Sequence, residues 1–110
     1  MELSFKEWNC KTELGQYKNK RLAIQLVDAE DGSPVATATV NIPEFGALLE
    51  DEVIIKNHSE NEGMTDALFK AGIVTGMIRT HIHSGFVECP VMKLTKKFIE
   101  EVNAEGYSIS

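Results

Sequence analysis

Two histidines one residue apart, His81-Ile82-His83, form the spacing in this chain that speaks most directly of chemistry. In an extended strand, side chains at i and i+2 point the same way, so both imidazoles share a face. With Ser84-Gly85 as the two-residue loop of a hairpin, His83 faces Phe86, His81 faces Glu88 and Arg79 faces Pro90. Two imidazoles and a carboxylate are a sufficient start for a catalytic zinc or non-haem iron site. Further ligands would have to come from elsewhere. His58 ends a different strand, and the thiol of Cys89 points to the opposite face by the same alternation. The pattern therefore reads first as a cross-strand His–Glu pair on a solvated sheet face, contributing less than ~1 kcal/mol. A metal-dependent enzyme or metal-binding protein using His81, His83 and Glu88 is the second reading.

Other reactive groups are sparse. Cys10 and Cys89 are too few for a four-cysteine zinc site, and neither has a histidine at hand to activate it as a nucleophile. Asp28-Ala-Glu-Asp-Gly32 is acidic but lacks the ligand order of a calcium loop, so it reads as a turn. Gly72-Ile-Val-Thr-Gly76 matches no phosphate-cradling loop, and no serine lies in a G-x-S-x-G elbow. No carboxylate sits in an apolar run that would tune it for proton transfer. No catalytic residue, cofactor or resident metal is expected. What remains is charge: Glu44, Glu50, Asp51, Glu52, Glu60 and Glu62 crowd one stretch, opposed by Lys56. They read as a solvated rim, or as a docking surface for a basic partner.

The elements that must position these groups are mostly strands. Leu3 and Phe5 alternate with polar neighbours, and Trp8, Cys10, Thr12 and Leu14 resume the alternation after a change of parity near Glu7. That predicts one bent strand or two short ones. Arg21–Asp28 and Val35–Ile42 form a hairpin around Asp31-Gly32 and Pro34. Leu22, Ile24 and Leu26 share its apolar face with Ala36, Ala38, Val40 and Ile42, while Gln25, Thr37 and Thr39 take the wet face. Phe45, Leu48 and Leu49 in the following loop pack over a core edge, and Val53-Ile54-Ile55 form another strand. Ser59-x-x-Glu62 has capping-box spacing before Met64, Ala67, Leu68 and Ala71 on one helical face, with Gly72 closing the helix.

Ile73–His83 and Phe86–Leu94 are the second hairpin. Ile78, Thr80, Ile82, Val87, Cys89 and Val91 are assigned to its core face. Met77, Arg79, His81, His83, Glu88, Pro90 and Met92 take the other. Thr95 caps a last helix carrying Phe98, Ile99 and Val102, and residues 105–110 read as a flexible tail.

At Leu26-Val-Asp-Ala-Glu-Asp-Gly-Ser-Pro-Val35 running into Thr39-Val-Asn-Ile42, the chain resembles a known family. Further matches lie at Asn57, Ala71-Gly-Ile73, Arg79, Ser84-Gly-Phe86 and Pro90. The family is the small bacterial domain of unknown function numbered 4313, met in Gram-positive and Bacteroides genomes among genes of conjugative elements and phages. The likeness covers residues 20 to 94. It departs at Lys56-Asn-His-Ser-Glu60, where the family is rich in aspartate and asparagine, and in the added stretch Lys96–Gly106. The resemblance implies a compact β-rich domain of mobile-element origin and carries no catalytic residue to transfer.

At 110 residues the chain holds one domain, able to bury roughly two-thirds of its unfolded surface. Its 43% hydrophobic and 25% charged content excludes disordered and fibrous classes. A net charge of −6 disfavours nucleic acid and anionic membranes as partners. There is no membrane span, and the opening residues lack a secretory leader, which points to the cytoplasm and to reduced thiols. The expectation is a single α+β domain over 1–110: a mostly antiparallel sheet of about five strands with one or two packed helices. Its function is read as non-enzymatic binding by protein–protein contact, as an accessory of a mobile element or phage in regulation or anti-defence. A sheet edge open to homodimerisation belongs to the same reading. A small-ligand module, with a pocket beneath the Phe45–Leu49 loop, is the remaining alternative.

Overall fold

Alternating apolar residues build four antiparallel strands in the first third of the chain. In the computed structural model, which describes residues 1–109, these are β1 (Glu2–Phe5), β2 (Trp8–Gln16), β3 (Leu22–Asp28) and β4 (Pro34–Thr37), in that spatial order. The parity change near Glu7 is a reversal: Phe5 pairs with Trp8, and Lys6 takes a φ of 54° in the turn. In the β3–β4 hairpin Leu26 faces Ala36, and the amide of Ala38 donates to the Ile24 carbonyl at 2.8 Å. The acidic loop between them is held by its own aspartates. Asp28 Oδ1 accepts from the Glu30 amide at 2.8 Å, and Asp31 Oδ1 accepts from the Ser33 amide at 2.9 Å and its hydroxyl at 2.7 Å.

A second sheet follows from β5 (Glu52–Ile54), β6 (Val74–Ser84) and β7 (Val87–Leu94), in the order β5-β7-β6. The chain is α+β as its patterning predicts, with seven strands in two sheets where about five in one were expected. The sheets are stitched together beyond the end of β4. Thr39 bridges Ile55, the Val40 amide donates to the Ile54 carbonyl at 3.0 Å, and the Lys56 amide donates to the Ala38 carbonyl at 2.9 Å. This crossing buries Thr39, which the alternation had put on the wet face. Its hydroxyl accepts from the Ile24 amide at 3.1 Å and lies 3.0 Å from the Tyr17 hydroxyl.

The helix α1 (Met64–Lys70) packs against both β1 and β6, one edge strand of each sheet. Its start differs from the capping-box expectation. Ser59–Asn61 is a separate 3-10 turn, and Gly63 makes the break with a φ of 94°, a value costly for any residue with a Cβ. The free amide of Thr65 is satisfied instead by Asn57 Oδ1 at 2.9 Å. Buried Asn61 ties the turn to both sheets, donating to the carbonyls of Thr37 (2.6 Å) and Lys56 (3.1 Å).

The helix α2 (Lys96–Ala104) begins as its sequence predicts, with Thr95 Oγ1 accepting from the Phe98 amide at 3.1 Å. The segment read as a flexible tail is fastened in its described part. Tyr107 donates its hydroxyl to the Leu14 carbonyl at 3.2 Å, and the Ile109 amide donates to Asn103 Oδ1 at 2.8 Å. Ser110, the end of that segment, lies outside the described residues.

Two buried clusters result. The larger is enclosed by both sheets and both helices and contains Phe5, Ile24, Leu26, Val53, Met64, Leu68, Met92, Leu94, Phe98 and Val102. The smaller lies on the other face of β5 and β7: Ile42, Ile54, Cys89 and Val91, covered by Phe45 and Leu48. Consecutive residues Val53 and Ile54 thus serve different clusters, as a strand buried on both faces requires.

Candidate functional site

The β6–β7 hairpin positions the histidine pair. Its loop is Gly85-Phe86, one residue later than the spacing suggested, so His83 faces Glu88, Ile82 faces Cys89 and His81 faces Pro90. The reason is local. A two-residue reversal of this type needs a positive φ at its first position, and Gly85, at 63°, supplies it. The slip preserves parity, so both imidazoles stay on the exposed side while Cys89 is buried on the other. His83 Nε2 lies 3.4 Å from Glu88 Oε1, both side chains solvent-exposed. Glu88 therefore pairs with His83 rather than His81. His58 stands at the start of the 3-10 turn, on another element. Among the described residues, no three His, Cys, Asp or Glu side chains gather closely enough to hold a metal ion.

Neither thiol is arranged for nucleophilic work. Burial pushes both above the usual thiol range, and the Asp28 carboxylate adds to this at Cys10.

The six acids of the proposed rim divide. Glu52 is buried, and Arg79 grips it with Nε on Oε2 at 2.6 Å and Nη2 on Oε1 at 2.8 Å. Glu52 Oε1 also accepts the Leu49 amide at 3.0 Å, while Arg79 donates to the Ala47 carbonyl at 3.1 Å. Hydrogen bonding from Arg79 holds the Glu52 carboxyl below the usual range against the opposing effect of burial. This clamp fixes the loop over the smaller cluster and is structural. Asp51 lies 3.4 Å from Lys93, and Glu60 accepts from Lys56 at 2.8 Å. Glu44 and Glu50 remain exposed on the loop before β5, and Glu62 between the 3-10 turn and α1.

The space beneath Phe45 and Leu48 is filled by the smaller cluster. A cleft of about 410 Å³ opens on the other side of that loop, between Asn19–Leu22, Leu48–Glu50 and Tyr107–Ile109. Much of its polar wall is already engaged. Arg21 donates to the carbonyls of Ile42 and Phe45, Gln16 to that of Lys20 and Tyr107 to that of Leu14.

The sequence reading missed the outer side of β6. Register irregularities between Val74 and Ile78, and between Ile78 and Thr80, break the alternation there. Ile78, assigned to the core, is 45% exposed, and Met92, assigned outward, is buried in the main cluster. Met77 is 79% exposed and Phe69 on α1 is 51% exposed. The Phe69 ring lies over Gly76, where an added Cβ would stand 2.9 Å from it. Phe86 at the hairpin tip is fully exposed. The signal available in sequence was the absence of any acid between Asp66 and Glu88 in an acidic chain.

No family model, curated protein or solved structure matches the chain significantly.

Proposed function

We propose that this is a small acidic binding protein without catalytic chemistry of its own, acting by protein–protein contact. The resemblance over residues 20 to 94 supports a cytoplasmic accessory of a mobile element or phage, in regulation or against host defence. The observation that carries the contact itself is the free side of β6. There Phe69, Met77 and Ile78 stand exposed beside a strand with a neighbour on one side only. Single exposed apolar residues are ordinary, but their grouping beside unpaired strand amides and carbonyls favours docking of another chain. The scattered acids Glu44, Glu50 and Glu62 bias which partners approach; they do not shape the contact. Among the described residues, no helix is long and apolar enough to cross a membrane.

A photo-crosslinking residue in place of Met77, in the protein expressed in cells, tests this. A discrete protein adduct is expected at position 77, with none when the same residue replaces Lys18 in the β2–β3 turn. Absence of an adduct at position 77 refutes the reading.

A further inference from the structure

We infer that the occupant of the β6 edge is a second copy of this chain, the two β6 strands pairing antiparallel about a two-fold axis. The inference rests on the protein-contact reading above and adds the identity of the partner. Charge is the first argument. Each copy carries −6, so the approach of two copies is least opposed where unpaired carboxylates are fewest. The run between Asp66 and Glu88 is the longest in the chain without Asp or Glu, and it contains Phe69 and all of β6. The edge strand β1 of the other sheet carries Glu2, and Glu62 and Asp66 line the groove beside it.

The cations on β6 do not oppose such a pairing. Arg79 is already neutralised by two bonds to Glu52, and His83 has Glu88 within 3.4 Å in its own chain. The edge is also only half protected. Irregularities interrupt the register up to Thr80, but Thr80–Ser84 pairs with β7 without interruption and contains neither lysine nor proline, the usual guards of an open strand. Antiparallel pairing about a two-fold would set Met77 and Ile78 of each copy against the same strand of the other. It would join two three-stranded sheets into one of the order β5-β7-β6-β6-β7-β5, with the β6 edge closed.

Sedimentation of the full chain from micromolar to submillimolar concentration provides the test. The mass should rise from one chain toward twice 12.2 kDa. Met77→Glu, which adds a carboxylate to this edge in each copy, should weaken self-association by about tenfold or more. Lys18→Ala makes the same change in net charge and should leave association unaltered. Met77 is 79% exposed, so its replacement spares the core, and an unchanged circular dichroism spectrum and Tm check this. His81→Glu, also at an exposed position, is a second variant with the same expectation. Amide exchange over Met77–Ser84 should slow as concentration rises. A monomer throughout, a dimer insensitive to both variants, or protection appearing on β1 instead would overturn the inference. A monomer whose position 77 crosslinks to a different protein removes the second copy and leaves the contact reading standing. A monomer with no adduct removes both.

Discussion

Glu52 is buried yet has its carboxyl held in the ionised form by Arg79, with the Leu49 amide as a third donor. Because the folded state lowers this acid's pKa, its contribution to stability is complete above the ordinary carboxylate range. It is lost as pH falls through the lowered folded value. Glu52→Gln keeps the shape and removes the charge. It is expected to destabilise the protein by about 1–3 kcal/mol at neutral pH. Urea midpoints taken from neutral to acid pH should show the wild type losing this advantage on acidification, so that the two curves converge. Parallel curves would show that the clamp does not couple to folding. The same residue shows what a list of acids conceals: of six carboxylates grouped by sequence, one is an internal strut and three remain free of the pairs that hold Asp51 and Glu60.

At the scale of elements, Thr95 joins two of them. Its hydroxyl oxygen caps α2 by accepting from Phe98, and the same hydroxyl donates to the Gly72 carbonyl at 2.5 Å, where α1 has just ended. Thr95→Ala should cost about 1–2 kcal/mol, the range of a lost N-cap together with its second bond, and Thr95→Ser should recover most of it. Denaturant midpoints of the two variants check this directly. The cap at Thr95 was legible because a hydroxyl three residues before Phe98 needs no tertiary information. The start of α1 was not. Ser59 and Glu62 have capping spacing, but the Glu62 amide goes to the Ser59 carbonyl in the 3-10 turn, and the first turn of α1 is capped by Asn57, which accepts from the Thr65 amide.

At the scale of the whole molecule, the two buried clusters differ in size and in what covers them. The larger is enclosed by sheets and helices, whereas the smaller depends on the loop carrying Phe45 and Leu48. Phe98→Ala in the larger should cost about 3–5 kcal/mol. Leu48→Ala, half-buried over the smaller, should cost about 1 kcal/mol. Native-state amide exchange should find Val40–Phe45 opening at lower free energy than β3 or the centre of β7, since a loop lid can lift without dismantling a sheet. Equal protection of the two regions would mean that the molecule unfolds as one unit.

Local pattern was sufficient wherever a residue's fate depends on its immediate neighbours. The β3–β4 hairpin around Asp31-Gly32, the cap at Thr95, and the outward imidazoles opposed to an inward Cys89 all follow from period, turn chemistry and parity. Tertiary structure decided the rest. It drew Glu52 out of the acidic rim, buried Thr39 at the crossing between sheets and turned Ile78 outward. Each of these depends on which strand lies beside which and where a register is broken. Alternation fixes the two faces of a strand, but only packing selects what covers each face.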